Sequence, residues 1–365
     1  MFLQYLLGFK KLGWDVLFLD RLEPAMAVDE AGAPATIERS WNVSYFVEVM
    51  RRFGLDGSYG LFCDNGATTI GLSRTQIVER VRASETLVNV MGFIKDEEIL
   101  GAAQQRVFLD IDPGFGQMWQ ALGLHETFRE HDAYVTIAEN IGKPECSVPT
   151  CGLTWTVTRT PIVLDEWPCR GWSNGAKGAI TTLAMWRGPY APLEYQGTRY
   201  GLRAHEFRKF VALPGLTGRR FEVALDIDPA DAKDIELLKS NGWALADPSD
   251  AAGDPWQYRQ FIQGSMAEVM IAKGMYVQTS SGWFSDRSIC YLASGKPVLA
   301  QDTGLEDLYP TGDGLITFST IEEAAAGVEE IWRAGPRHAR AARALAEEYF
   351  DSDKVLTRLV DRLGV

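Results

Sequence analysis

The stretch Ser280–Leu308, SSGWFSDRSICYLASGKPVLAQDTGLEDL, decides how this chain is read. A polar loop enters a segment that Ser285 can cap, and a Gly-Lys-Pro turn follows. The short apolar run Val298–Ala300 then leads into a second polar loop, Gln301 to Gly304. Helix, tight turn, buried strand and exposed loop in that order describe a parallel α/β sheet. The loop after such a strand lies at its carboxyl end, where open α/β sheets bind ligands.

The alternation continues in both directions. Strands are expected near 179–186, 221–226, 243–246, 268–271, 297–300 and 314–318, and helices near 201–212, 231–240, 255–263, 286–294, 321–333 and 336–349. In the first half the strand candidates are 15–19, 59–63, 86–91, 106–111 and 134–138. Helical patterns fall between them at 38–53, 71–83, 95–103 and 114–122; Trp41, Tyr45 and Val49 show the i, i+4, i+8 stripe of a helix packed on a sheet. Parallel strands need crossover helices. Two such blocks predict an α/β protein with two Rossmann-like, doubly wound parallel-sheet domains facing a central cleft, and 365 residues leave room for two cores.

The first domain is read as residues 1–150 and the second as 179–350, joined by a linker region at 151–178. The alternation breaks from Ile141 to Gly178, where Pro144, Pro149, Pro161 and Pro168 fall. In residues 351–365, Val355, Leu359 and Leu363 have helical spacing, as in a closing helix that packs back on the first domain.

The amino end departs from this scheme. Phe2, Tyr5, Leu6 and Phe9 already form a helical face, ended by Gly13, before any strand. A doubly wound domain normally opens with a central strand whose Gly-rich turn delivers the chain to that helix. Either the chain starts upstream or the domain is built around a gap. An empty central position exposes two unpaired strand edges, which favours a shortened chain.

Composition narrows the function classes. Hydrophobic residues are 46% and charged ones 23%, an ordinary globular balance. A net charge of 36 − 49 = −13 disfavours nucleic acid or an anionic membrane as the main partner. No apolar run approaches the ~18–20 residues that span a bilayer. The opening MFLQYLLGF is short and its lysines follow the apolar part, unlike a secretory signal. Five scattered cysteines do not make a disulfide framework. The expectation is a soluble, reduced, cytoplasmic protein with no transmembrane segment, its oligomeric state open.

The element order and the string ASGKPVLA (293–300) resemble the donor-binding half of glycosyltransferases with the GT-B fold. The resemblance covers the chain from about Ile180 onward; in the first half only LLGFKKLGWDVLFLD (6–20) is similar. It implies that the helix start meets a nucleotide diphosphate and that the loop after the next strand meets the sugar. Helix N-termini suit diphosphates because their N–H groups are free and the dipole is positive there. Ser285 then caps the helix or donates to a phosphate oxygen, and Arg287 neutralises the leaving diphosphate. Asp286 accepts hydrogen bonds from ribose or sugar hydroxyls. Many members of the resembled group carry two glutamates eight residues apart here. This chain has Gly282 and Cys290 at those positions, which leaves Asp286 as the substitute.

Gln301, Asp302, Thr303 and Gly304 are the candidate sugar contacts, with an Asx-type turn closed by Gly304 as the structural alternative. Arg187, in Trp186–Tyr190 directly after a strand, is a further diphosphate candidate. Arg199 to Arg220 holds six Lys/Arg and one Glu, read first as a solvated helix face and second as a phosphate-facing one.

A base for the acceptor hydroxyl has to come from the first half and needs hydrogen-bond reach. Asp112 and Glu139 are the candidates, beside Asp110, Asn140, His125 and His131. Asp112 also precedes Pro113, a good cap for a helix start. The sequence Leu-Asp-Ile-Asp-Pro recurs at 109–113 and 225–229; capping accounts for both copies better than metal binding. Cys146, Cys151 and Cys169 lack zinc-site spacing. No metal and no cofactor apart from the nucleotide-sugar substrate is expected. The reading is a metal-independent glycosyltransferase acting on a nucleotide-diphosphate-sugar donor and an unidentified acceptor. The alternatives are a sugar-nucleotide epimerase on the same fold or a non-catalytic nucleotide-sugar-binding protein.

Overall fold

The computed structural model describes residues 1–169, 172 and 178–365. Part of the 151–178 joint, residues 170, 171 and 173–177, lies outside the described residues.

The C-terminal lobe is built on strands β8 (Ile180–Met185), β11 (Phe221–Asp226), β12 (Trp243–Ala246), β13 (Ala267–Met270), β14 (Val298–Gln301) and β15 (Leu315–Phe318). Between β8 and β11, β9 (Leu193–Tyr195) and β10 (Thr198–Tyr200) form an antiparallel hairpin. Gln196 and Gly197 both have positive φ at its turn, as a tight hairpin requires. The six-stranded sheet runs β12-β11-β8-β13-β14-β15, all parallel. Counted in chain order that is 3-2-1-4-5-6, the doubly wound arrangement. Helices cover both faces, so the central strands β13 and β14 are buried throughout. One face packs on Ile262, Ile289, Leu292, Ala342 and Leu345; the other packs on Phe207, Phe210, Leu213, Val328 and Ile331.

The N-terminal lobe has β1 (Phe18–Leu22), β2 (Tyr59–Cys63), β3 (Thr68–Gly71), β4 (Leu87–Val90), β5 (Arg106–Asp110), β6 (Ala133–Thr136) and β7 (Trp155–Val157). They form two sheets, β1-β2-β3 and β4-β5-β6-β7. Among the described residues no strand pairs with the outer edge of β1 or of β4. The opening helix, Phe2–Lys11, spans both sheets. Leu3 and Leu6 pack with Met50 and Tyr59, while Tyr5 and Phe9 pack with Val107, Leu109 and Val135. The closing helix, Ser352–Leu363, adds Leu356 and Leu359 to that second cluster. Gly8 permits this approach: a Cβ there would lie 2.6 Å from Leu356.

Two local expectations differ from the structure. The first strand lies at 18–22 instead of 15–19, because pairing of Phe18 with Tyr59 sets the register and Asp15 is tied to Arg80. Strand β3 was not expected, and the helix expected at 71–83 starts later. The strand turns back antiparallel on β2 through Gly66, which has positive φ, and the helix begins only at Arg74 behind the Ser73 cap.

Candidate functional site

The strand order reverses between β8 and β13, so their carboxyl ends open a crevice. Beyond β8, the buried Trp186 donates to Asp234 at 2.8 Å and pins the loop that carries Arg187 and Tyr190. Beyond β13 the chain passes through Ile271 and Ala272 to Lys273 and Gly274. Gly274 packs closely here: a Cβ would lie 3.1 Å from the Gly201 backbone.

Lys273 Nζ donates to Asp112 Oδ2 of the N-terminal lobe at 2.6 Å, and the Tyr276 hydroxyl donates to the other carboxylate oxygen. The rings of Phe115, Tyr190 and Tyr276 surround the ammonium at 5.7, 5.9 and 5.4 Å. Burial pulls its pKa down, and Asp112 only partly restores it.

Arg203 is the first residue of the helix Arg203–Lys209, which the β9–β10 hairpin delivers to the crevice. Its Nε is buried with no hydrogen-bond partner. Its pKa falls to about 10, through burial first and then the positive charge of Arg287. Arg287 itself is buried against Glu268 of β13. Burial opposes its charge, and the Glu268 carboxylate outweighs that and raises its pKa. Arg203 thus feels the positive charges of both Arg287 and Lys273, with the carboxylates Asp112 and Glu268 also in reach. Desolvated cations of this kind favour an anionic guest.

The other residues picked from sequence fall in several places. Ser285 is buried at the N-cap of the helix Asp286–Ala293 without a side-chain cap bond. Asp286 is partly open, 3.8 Å from the Met1 amino group. Arg187 points outward in a bidentate pair with Asp231. Gln301 is buried; its oxygen accepts from Ala272 N and its nitrogen donates to Glu206. Asp302 forms the Asx turn, accepting from Gly304 N and Leu305 N, and the Thr303 hydroxyl donates to Trp283 O. The Gly304 carbonyl accepts from Asn140 of the other lobe at 2.8 Å, and Ser280 O accepts from the same amide. Gln301 to Gly304 are therefore engaged in protein contacts, part of them in a seam between the lobes. Glu139 lies in another part of that seam, paired with Arg159 at 3.0 Å and accepting from the Tyr309 hydroxyl. Of the two first-half carboxylates, Asp112 is the one in the crevice.

Asp110, next to it, is buried, accepts from Gln117 and Thr136, and is raised by burial to about 6. His131 bonds Asn89 and the Arg129 carbonyl, and His125 contacts Thr127. Among the described residues no group of three or more His, Cys, Asp or Glu is placed to hold a metal ion. No helix among them is long and apolar enough to cross a membrane.

Sequence reading missed Lys273 and passed over Arg203. Lys273 carries a signal: it follows the buried run Ala267–Ala272 at a central strand's carboxyl end. Arg203 stood within the basic run from Arg199 to Arg220. Four of its neighbours there are neutralised by Asp234, Glu206, Glu329 and Glu222.

A second feature adjoins the start of the helix Asp286–Ala293. A cavity of about 350 Å³ lies between the lobes, lined by the opening helix, β1, the helix Trp41–Arg52, the helix Pro255–Gly264 and Asp286.

No protein-family model matches the chain, and no curated protein sequence matches it significantly. Solved structures do, over nearly its whole length. The Anabaena protein HepE in complex with UDP and glucose superposes with TM-score 0.55 at 11% identity, covering 96% of this chain and 99% of that one. The chain has the GT-B fold. Sucrose-phosphate synthase from Thermosynechococcus elongatus gives TM-score 0.54 at 11% identity, covering 95% and 99%. An alpha-glucosyltransferase in complex with UDP gives 0.52 at 11%, covering 96% and 100%. At such identity the GT-B likeness concerns the backbone, so the chemistry of the crevice rests on the side chains described above.

Proposed function

We propose that this GT-B chain is a glycosyltransferase that moves a sugar from a nucleoside-diphosphate donor to an acceptor. The observation that carries the reading is the pair Arg203 and Lys273, two shielded cations at the crevice where the sheet order reverses. Neighbours of the same fold are solved with UDP, which is the anion this chemistry would take.

In this reading the donor's diphosphate lies against Lys273 and Arg203, close to the Ser285 end of the helix Asp286–Ala293. As the glycosidic bond breaks, negative charge grows on the leaving phosphate oxygen. Preorganised N–H donors stabilise that charge more than they stabilise the bound donor, which lowers the barrier. Arg203 Nε has no acceptor to give up, and Lys273 exchanges Asp112 for phosphate. Asp112, still held by the Tyr276 hydroxyl through its other oxygen, then offers the freed oxygen as the base for an acceptor hydroxyl, provided that hydroxyl comes within ~3 Å. Gln301 holds Glu206 and Ala272 in place, and Asp286 is the carboxylate offered to ribose or sugar. Arg287 acts through Glu268 and its repulsion of Arg203.

Incubation with a panel of sugar nucleotides and acceptors tests this reading. Release of nucleoside diphosphate that depends on an acceptor, and is lost in Lys273→Met, supports it. An isomerised donor formed without acceptor would show an epimerase, and binding without any product would show a non-catalytic module.

A further inference from the structure

We propose that Glu206 is a positioning residue that fixes the spacing of Arg203 and Lys273, and that the preference of the crevice for a diphosphate over a monophosphate depends on it. The proposal rests on the transferase reading above and concerns how its donor site is held.

The two cations stand on separate elements. Arg203 opens the helix Arg203–Lys209, and Lys273 lies beyond the carboxyl end of β13. Glu206 follows Arg203 by three residues, nearly one turn along the same helix. It is buried, and one of its carboxylate oxygens accepts from Gln301 Nε2 at 2.7 Å. Gln301 ends β14, and its Oε1 accepts at 3.1 Å from the backbone N–H of Ala272, the residue before Lys273. An ionised carboxylate only accepts and a backbone N–H only donates, so these two partners fix which way the Gln301 amide faces. The contacts from Glu206 through Gln301 to Ala272 thus join the helix of Arg203 to the loop of Lys273. The backbones meet at the same place. A Cβ on Gly274 would lie 3.1 Å from Gly201 N and O and 3.2 Å from Glu206 Oε1.

Packing does not account for this carboxylate. Lys209 pairs with both of its oxygens at 2.8 Å, yet that lysine is exposed while Glu206 is 2% exposed. An apolar side chain of like volume would escape the desolvation of a charge, and such replacements are often neutral or stabilising. What an apolar side chain cannot do is hold the Gln301 amide. A diphosphate gains from that hold. It reaches two cations at once where a monophosphate reaches one, and the second contact adds most affinity when both cations are already set at the right distance. Loosening the link leaves each cation able to attract a phosphate singly, and takes away the advantage of the second phosphate.

Calorimetry on the full chain with UDP and UMP as probes tests this. The wild-type chain should bind UDP at least tenfold more tightly than UMP. Glu206→Met should shrink that ratio at least fivefold while changing UMP affinity less than twofold. Glu206→Gln, whose amide oxygen still accepts from Gln301, should keep the ratio within twofold. Gln301→Leu should shrink it as Glu206→Met does, and the double variant no further, because the two residues act as one link. If Glu206→Met fails to fold, Gln301→Leu decides. An unchanged ratio in these variants, equal loss of UDP and UMP, or losses that add in the double variant would overturn the proposal and leave the transferase reading standing. Equal affinity of the wild-type chain for UDP and UMP would also overturn it. No binding of either nucleotide to the wild-type chain would instead sink the transferase reading, and the proposal with it.

Discussion

The carboxylate of Asp112 in one lobe receives the ammonium of Lys273 in the other at 2.6 Å, 161 residues away in sequence. In the unliganded protein a carboxylate thus occupies the cation that is proposed for the donor's diphosphate. It competes with phosphate for the same N–H donors, and its release is coupled to donor binding.

Removing the charge of Asp112 should therefore separate binding from turnover. Asp112→Asn is expected to tighten UDP several-fold, since Lys273 no longer has an anionic partner to give up. The same change should lower kcat by a factor of ~10² or more, as loss of a general base does. Titration calorimetry and steady-state rates on one preparation measure both, and weaker UDP binding in this variant would count against the competition.

Arg203 has the opposite signature. A buried guanidinium nitrogen without an acceptor destabilises the fold, by about 1–3 kcal/mol for an unsatisfied buried group. Arg203→Met should raise the urea midpoint while weakening UDP by roughly tenfold or more, the size of one lost charge-assisted bond. A stabilised variant with unaltered UDP affinity would remove Arg203 from the donor site.

Asp110 makes stability depend on pH. Burial raises its carboxyl from the ordinary 3.8 to about 6, so the folded state holds a proton that the unfolded chain has lost. Its contribution is fully present below the unfolded value and fades as pH rises through the folded value. Unfolding free energy should fall between about pH 4 and 6 and level off above, and Asp110→Asn should flatten that segment of the curve. Denaturant titrations at several pH values read this directly.

Gly304 tests the seam. Its φ is +87°, and a Cβ would lie 2.6 Å from Asn140 Nδ2 and 2.9 Å from Ser280 O. Gly304→Ala should cost about 1–3 kcal/mol, as a strained left-handed residue does. Because the clash falls between the lobes, limited proteolysis should cut the joint faster in this variant. A neutral effect on stability would mean that the seam yields.

The fold class was legible because its causes are local. Strand β2 begins at Tyr59 and ends at Cys63, and strands β11 and β12 keep the bounds read from their apolar runs. Helix starts were visible at caps such as Asp254-Pro255 and Thr320 with Glu323, whereas the Ser73–Gln76 capping box was passed over. The hairpin β9–β10 was missed although the chain carries its Gln-Gly turn at 196–197. Its strands have three residues each, too few to show a period.

The site was legible only in outline. From sequence, Arg187, Arg203, Lys273 and Arg287 are four cations near four element ends, and only Lys273 has a local signal, the buried run before it. The partners that rank them are far off: Glu268 is 19 residues from Arg287, Asp231 is 44 from Arg187, and Asp112 is 161 from Lys273.

What the sequence determined by itself was the alternation of strand and helix, the doubly wound class, and the helix that starts behind Ser285. Those follow from periodicity and capping, which act within a few residues. Only the tertiary structure decided which charges are already neutralised and which are left for a ligand. Burial raises the energy of every unpaired charge, and pairing depends on neighbours that folding brings together across the sheet and between the lobes.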